Sequence, residues 1–278
     1  QYELRAVYQV SPRVMPLGDQ VAGIDLGEVH TAGVYDGRQA NIINGRHLRS
    51  LRRYQNKLKA HLSMMIARKQ RRSRRWSRLG RSKARQLRKL QNQILDVLHK
   101  QTSYIVSTLY ERGVQTMAIG DTRGIRLRTN LGRKANQKVH QWLGGRARNM
   151  LTYKAARFGM NVALIDERYT TQTCPRCSNR SRAKGRIYRC KLCSEVYHRD
   201  VVGAVNIRAK YLGNFGSSVV GVHPAQAGMA SPSGVRYSAH LRCSSLRPTL
   251  SGAGSREKMP GPAAAVTSVP ACKVASAS

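Results

Sequence analysis

Carboxylates are scarce in this chain of 278 residues: 13 Asp and Glu stand against 50 Lys and Arg, for a formal net charge of +37. That shortage excludes an acidic protein, and an excess of this size repels itself unless a polyanion binds to it. Long apolar runs are missing as well. No stretch reaches the roughly 18 residues a bilayer-crossing helix needs, so a membrane-spanning protein is excluded and no membrane partner is expected. Cysteine is limited to six residues, too few for a disulfide-built scaffold of this length. The composition is that of a globular chain, with nucleic acid as the default partner, because releasing counterions condensed on phosphates rewards each Lys or Arg that replaces them.

The few acids are unevenly placed. None occurs from Gly37 to Leu95, and none from Thr122 to Ile165. In a chain that binds polyanions, a carboxylate kept near the groove weakens binding and is therefore a candidate metal ligand.

The first residue is Gln1 rather than Met, which predicts a shortened start with a remnant over residues 1–20. Residues 21–26, 31–35 and 40–43 read as three short strands, with Asp36-Gly37 as the hairpin signal between the last two. Leu48, Leu51, Tyr54, Leu58, Leu62 and Met65 then recur at helical spacing, as do Leu87, Leu90, Ile94, Leu98, Ile105 and Leu109. The two stripes predict a long helical hairpin over 46–112, connected by an arginine-rich segment. Strands are expected at 115–119 and 162–165, separated by a basic loop from Arg123 to Lys134 and a single helix from Asn136 to Phe158. A last helix follows from about Asp200 to Tyr211. Beyond it the composition shifts to Gly, Ser, Ala and Pro without apolar period, predicting a disordered tail over 213–278 that holds Cys243 and Cys272. Alternating strands and helices make the class α/β.

Cys174-Pro-Arg-Cys177 and Cys190-Lys-Leu-Cys193 are two Cys-x2-Cys pairs. Two such knuckles complete a tetrahedral, closed Zn²⁺ site, and in so basic a chain a metal is favoured over two disulfides. Arg180, Arg182, Lys184, Arg186 and Tyr188 between them predict that this segment also touches nucleic acid.

Asp25 lies within an apolar strand, where a charge is costly unless something compensates it. Asp121 and Glu167 each follow a strand, and Asp200 opens the last helix, where an acid is also favoured as a cap. Singly, each has an ordinary structural explanation. Together they are the set that two Mg²⁺ or Mn²⁺ ions need to hydrolyse a phosphodiester.

Gly23-Ile-Asp25-Leu-Gly27, the basic helical pair, Tyr169-Thr-Thr-Gln-Thr-Cys174, the second knuckle and His198-Arg-Asp200-Val-Val-Gly-Ala-Val-Asn206-Ile207 resemble the TnpB family of transposon-encoded proteins. These OrfB-type proteins with a C-terminal zinc ribbon are related to the type V CRISPR effectors. The resemblance covers roughly residues 20 to 212. It implies an RNase H-like (RuvC) domain, in parts at 21–45, 113–168 and 198–212, with the hairpin and a zinc ribbon at 169–197 inserted. It implies an RNA-guided DNA endonuclease of the prokaryotic cytoplasm and nucleoid, with DNA and a guide RNA as partners. By motif position, Asp25 and Asp200 would be metal ligands. The family usually carries Glu where this chain has Gly120, so the third ligand is Asp121 or Glu167; Glu167 is favoured because its longer side chain, on a strand expected beside the first, can span the offset. Val202, Gly203, Ser178 and Ser194 also depart from the family pattern. Relatives carry an N-terminal recognition region, and only about twenty residues precede the first strand here.

Backbone phosphates would be held by Arg71, Arg72, Arg74, Arg75 and Arg78 in the hairpin connection, and by Arg123, Arg126, Arg128, Arg133 and Lys134 in the loop. Trp76 or Tyr54 could stack on bases. The alternative function is a catalytically silent nucleic-acid-binding protein with a structural zinc ribbon; a basic ribosome-associated protein is a third.

Overall fold

The structure, a computed structural model, describes residues 18–125 and 130–216. Strands β1 (Gln20–Leu26), β2 (His30–Tyr35) and β3 (Ala40–Asn44) form an antiparallel meander. Its second turn closes because Asp36 Oδ1 accepts from the N–H groups of Arg38 and Gln39 at 2.8 and 2.6 Å. Gly37 supplies the φ of 98° that this turn requires and a Cβ would oppose. After a helical excursion, β4 (Val114–Asp121) joins β1 in parallel and β5 (Asn161–Asp166) joins β4 in parallel. The five-stranded sheet has the order β3-β2-β1-β4-β5.

The excursion consists of α1 (Arg46–Ala67) and α2 (Arg74–Glu111), which pack along each other. α2 has 38 residues, so it runs for about 57 Å at 1.5 Å per residue. Its start is fixed by Ser73, whose Oγ accepts from the N–H of Trp76 at 3.2 Å. Only Leu48 and Leu62 of the α1 stripe are buried, whereas α2 buries Leu90, Ile94, Leu98, Ile105 and Leu109. The C-terminal half of α2 is therefore core, and the outer part of the hairpin stands in solvent.

Strand alternation assigns the two faces of the sheet. Ala22, Ile24 and Leu26 of β1 join Leu98, Leu109, Met117, Ile119 and Leu151 in one core with α2 and α4 (Gly144–Arg157). The intervening residues Gly23 and Asp25 face α5 (Arg199–Tyr211). α5 lies very close to the sheet: a Cβ on Gly23 would meet the carbonyl of Ala204, and one on Gly33 the carbonyl of Asp200. A two-stranded ribbon of β6 (Ile187–Arg189) and β7 (Val196–His198) precedes α5 without an intervening residue.

Two expectations are corrected. The helix from Asn136 to Phe158 is two helices, α3 (Arg133–Gln141) and α4, broken at Trp142 and Leu143. Trp142 is extended (φ −62°, ψ 138°), its indole N–H donates to the Gly27 carbonyl at 2.8 Å, and its ring fills the space beside Gly144. That tertiary anchor, with two weakly helical glycines after it, stops α3. β5 does not lie beside β1; β4 separates them. The predicted tail from 217 onward, and most of the N-terminal remnant, lie outside the described residues. Among the described residues no helix is long and apolar enough to cross a membrane.

Candidate active site and metal centres

The four ribbon cysteines converge. Cys174 and Cys193 Sγ are 3.6 Å apart, and Cys177 and Cys190 Sγ 3.4 Å. All four sulfurs lie within 4.8 Å of one another. A tetrahedral ion with bonds of about 2.3 Å spaces its sulfurs by roughly 3.8 Å, so the cluster fits a metal such as zinc. Its electrostatics are compatible with a cation. Burial pushes the Cys174 thiol up, while at Cys190 burial is outweighed by the N–H groups of Cys193 and Leu192 and by neighbouring thiols, which bring it down to about 6. Four sulfurs this close cannot all ionise without a compensating charge.

The ribbon's own core is small. Tyr188 is completely buried within it, and its hydroxyl donates to the carbonyls of Gln172 and Asn179, both at 3.3 Å. This corrects the expectation that Tyr188 meets nucleic acid. Of the ribbon's basic residues, Arg180 lies over the Tyr169 ring at 4.1 Å, and Arg186 is turned inward onto Asp200.

Asp25 lies under the first turns of α5, the helix that carries Asp200. Asp25 is on β1, paired with Gly33 of β2, and its carboxylate occupies the space where a Cβ on Gly203 would stand. Gly203 lies one turn after Asp200, so the helix that carries Asp200 can approach β1 only because position 203 has no side chain. Burial, then Glu167, then Asp200 hold the Asp25 carboxyl well above the ordinary carboxylate range. At Asp200 burial acts in the same direction but is overcome by the hydrogen bond from His30 and by Arg186 and His198, which leaves that group low.

Glu167 follows β5 and reaches back over β4. Its Oε1 sits where a Cβ on Gly120 would be, is buried, and has no hydrogen-bond partner. Burial, then Asp121 and Asp166, raise its carboxyl to about 7. Asp121, at the end of β4, turns the other way: Arg123 Nη2 lies 2.6 Å from its Oδ2 and Arg148 Nη1 3.6 Å from its Oδ1. Its hydrogen bond from Arg123 holds it low. Asp25 thus feels the charges of both Glu167 and Asp200, and Glu167 feels those of Asp121 and Asp166, while Asp121 is itself ion-paired with Arg123 and Arg148.

Two residues that sequence reasoning gave no role complete the pocket. His30 Nδ1 is 2.7 Å from Asp200 Oδ2, and His198, the N-cap of α5, accepts the Asp200 N–H at 3.3 Å. His198 stands inside the quoted motif and was readable there; His30, 170 positions from Asp200, carries no local signal.

The basic residues form two surfaces. Arg71, Arg72, Arg74, Arg75 and Arg78 are exposed in the hairpin connection beside a partly exposed Trp76. Tyr54 is 56% exposed on α1. Arg133 and Lys134 are exposed at the start of α3, Arg123 is ion-paired with Asp121, and Arg126 and Arg128 lie outside the described residues. A cleft of about 780 Å³ between α1 and α3 is lined by Arg46, Arg49, Arg53, Lys134 and Lys138, with Gly27, two residues past Asp25, in its wall. The sequence indicated a basic helix face; it did not show that α3 would close a groove over it.

Comparison with known proteins places both halves. Residues 6–126 match the OrfB/IS605 probable transposase family, and residues 145–207 the Cas12f1-like TNB domain. The TnpB-like protein MJ0751 of Methanocaldococcus jannaschii is 27% identical over 126 residues, 44% of this chain and 45% of that protein. The CRISPR-associated endodeoxyribonuclease Cas12f1 of Sulfoacidibacillus thermotolerans is 29% identical over 112 residues, 39% of this chain and 25% of that protein. A cryo-EM structure of a CRISPR-Cas12f ternary complex is similar in fold, with a TM-score of 0.56 at 14% identity, over 73% of this chain and 40% of that one. The chain thus spans less than half the length of each of these relatives.

Proposed function

Because the chain belongs to the TnpB family, whose members are related to the type V CRISPR effectors, we propose that it is the nuclease core of an RNA-guided DNA endonuclease. The core is RNase H-like (RuvC), assembled from 21–45, 113–168 and 198–212, with the helical hairpin and the ribbon inserted. The sheet order β3-β2-β1-β4-β5, antiparallel on one side of β1 and parallel on the other, supports this reading. So does the placement of acids on β1, after β5 and on α5.

The observation that carries the proposal is a buried, unpartnered Glu167 Oε1 whose charge, with that of Asp200, also raises the fully buried Asp25. An ordinary core does not keep such an arrangement, since an unsatisfied buried carboxylate costs several kcal/mol. Divalent cations satisfy it. Asp25, Glu167 and Asp200 would hold two Mg²⁺ or Mn²⁺ ions, and the four cysteines one Zn²⁺. The chemistry that two bound divalent ions supply is a nucleophilic water at neutral pH and relief of charge on the leaving oxygen. Asp25 would hold its share of the ions from β1, and Asp200 from α5. Glu167 takes the part of the Glu that the family carries at position 120, across the space Gly120 leaves open.

DNA is the substrate and a guide RNA the partner in this reading. The cleft between α1 and α3 offers phosphates a basic path toward Gly27 and Asp25, and the exposed arginines of the hairpin connection offer a second contact.

The test is cleavage of labelled single- and double-stranded DNA with Mg²⁺ or Mn²⁺, with and without the cognate RNA. Cleavage should vanish in Asp25→Ala and Glu167→Ala and persist in Asp121→Ala. Activity surviving Asp25→Ala would sink the mechanism. DNA binding with no cleavage under any of these conditions would leave the silent binding protein as the correct description.

A further inference from the structure

The pocket around Asp200 contains more than carboxylates. Ligand atoms of His30, His198 and Asp200 all lie within 4.8 Å of one another. The two rings are 5.1 Å apart between centroids and tilted by 56°, so they converge rather than stack. His198 is 4% exposed and Asp200 5%, and the His30 side chain is 11% exposed. Two imidazoles and a carboxylate are thereby held out of solvent on two pieces of chain: His30 at the start of β2, and His198 and Asp200 where β7 runs into α5.

We propose that His30, His198 and Asp200 form a mixed nitrogen-oxygen site for a first-row transition ion, so that this pocket prefers such an ion to Mg²⁺. The inference rests on the reading above in one respect, that Asp200 is a metal ligand; the two histidines are new to it. The geometry is that of neighbouring ligands. Without an ion, His30 Nδ1 hydrogen-bonds Asp200 Oδ2 at 2.7 Å; in the tautomer with the proton on Nε2 the Nδ1 lone pair is free to bind, and the spacing is close to the roughly 2.9 Å between adjacent ligands of an octahedral ion with bonds near 2.05 Å. The Nδ1 lone pair of His198 takes only a long hydrogen bond, 3.3 Å from the Asp200 N–H, so it is weakly engaged where it stands. The choice of ion follows from the donor set. Mg²⁺ binds hard oxygen ligands and keeps its waters, whereas imidazole nitrogen favours transition ions. An all-carboxylate pocket has no such preference built in.

Two neighbouring cations bear on this site, and the more distant is Arg199, whose Nε lies 3.6 Å from Asp200 Oδ1. Arg186, from the ribbon, places Nη1 3.2 Å from both oxygens of Asp200. An ion at His30 and His198 shares Asp200 with that guanidinium, so Arg186→Ala should tighten ion binding.

The experiment uses the full chain loaded with Zn²⁺ at the ribbon, free of nucleic acid, with Mn²⁺ as the probe. Pulsed electron paramagnetic resonance reads whether nitrogen is bound directly to the manganese, a signal that needs no variant to be informative. Expected are couplings from imidazole nitrogen, lost in His30→Gln/His198→Gln. Mn²⁺ affinity should fall about ten-fold in either single variant while Mg²⁺ affinity changes less than about two-fold. Mn²⁺ bound without nitrogen coupling, but released by Asp200→Asn, would overturn the inference and leave the carboxylate site standing. Nitrogen coupling that survives the double variant would overturn it too, by assigning the signal to other histidines. Mn²⁺ binding that is indifferent to Asp25→Asn and Asp200→Asn would overturn both readings.

Discussion

The cysteine ribbon and the carboxylate pocket adjoin each other through α5, yet they are built on opposite plans. All four ribbon ligands fall within 20 consecutive residues, in two four-residue knuckles. The pocket draws Asp25, His30, Glu167 and Asp200 from four places along the chain. The ribbon's ligand geometry is set locally, by the backbone N–H groups of each knuckle. The pocket's geometry is set by packing, chiefly the approach of α5 to β1 and β2. The difference teaches that loss of a ligand should have unlike consequences: in the ribbon it removes a fold, in the pocket it removes a function.

The largest expected effect is on the ribbon side. Cys190→Ser should abolish stoichiometric zinc and melt residues 170–198, since a small knuckle domain draws its folding energy from the ion. Hydrogen exchange would show protection lost there and retained in α2. Protection kept in β6 and β7 without zinc would contradict the assignment. Next in size, Asp25→Ala and Glu167→Ala should each lower Mg²⁺-dependent cleavage by about 10³-fold, several kcal/mol of transition-state stabilisation. Zinc content and thermal midpoint should stay near wild type or rise, because each variant removes a buried charge. Asp121→Ala should cost only a few-fold. Equal losses at 121 and 167 would erase the distinction between the rim and pocket carboxylates.

A buried charge in neither region supplies a control of intermediate size. Lys154 on α4 donates to the His99 carbonyl, Thr102 Oγ1 and Ser103 Oγ at 2.6, 2.7 and 2.8 Å. Burial, and secondarily Arg157, still bring its ammonium down to about 8 from 10.5. Between those values the unfolded chain holds a proton that the folded one has released, so stability should rise with pH across that window. Lys154→Met should remove on the order of 2 kcal/mol of that rise, measured by urea denaturation at pH 7.5 and 10.5.

The smallest effect is in the knuckles. Ser178 and Ser194, each directly after a cysteine, have φ of 59° and 58°. Non-glycine residues strain there, so Ser178→Gly and Ser194→Gly should each stabilise the zinc-bound ribbon by about 1 kcal/mol, seen as slower zinc loss to a competing chelator. A slower or unchanged fold with faster zinc loss would show that the serines contribute contacts of their own.

This contrast also explains what could be read in the sequence. The Cys-x2-Cys spacing, the Asp36-Gly37 turn and the apolar stripe of α2 are short-range patterns, and each names its own structure. The two-acid ambiguity at the third ligand was visible as Gly120; the side chain of Glu167 lying over that glycine, which supports the choice proposed above, was not. The reason first given for favouring Glu167, a strand beside β1, does not hold; β5 is one strand further out, and the carboxylate reaches in because position 120 is bare. The break at Trp142 depends on a hydrogen bond to Gly27, 115 positions away. His30 depends on Asp200 in the same manner. Neither has a period or a spacing that a reading along the chain could detect.

β7 ends at His198 and α5 begins at Arg199, with no hinge between the ribbon and the helix that carries Asp200. The knuckles are thus joined directly to a helix that packs on Gly23 and Gly33 with no room for a side chain between them. Thiolates are the groups here most open to oxidation. A peroxide that strips the ribbon of its ion would then disturb Asp200 without touching it, so a segment that looks architectural would pass the redox state of its surroundings to the carboxylates.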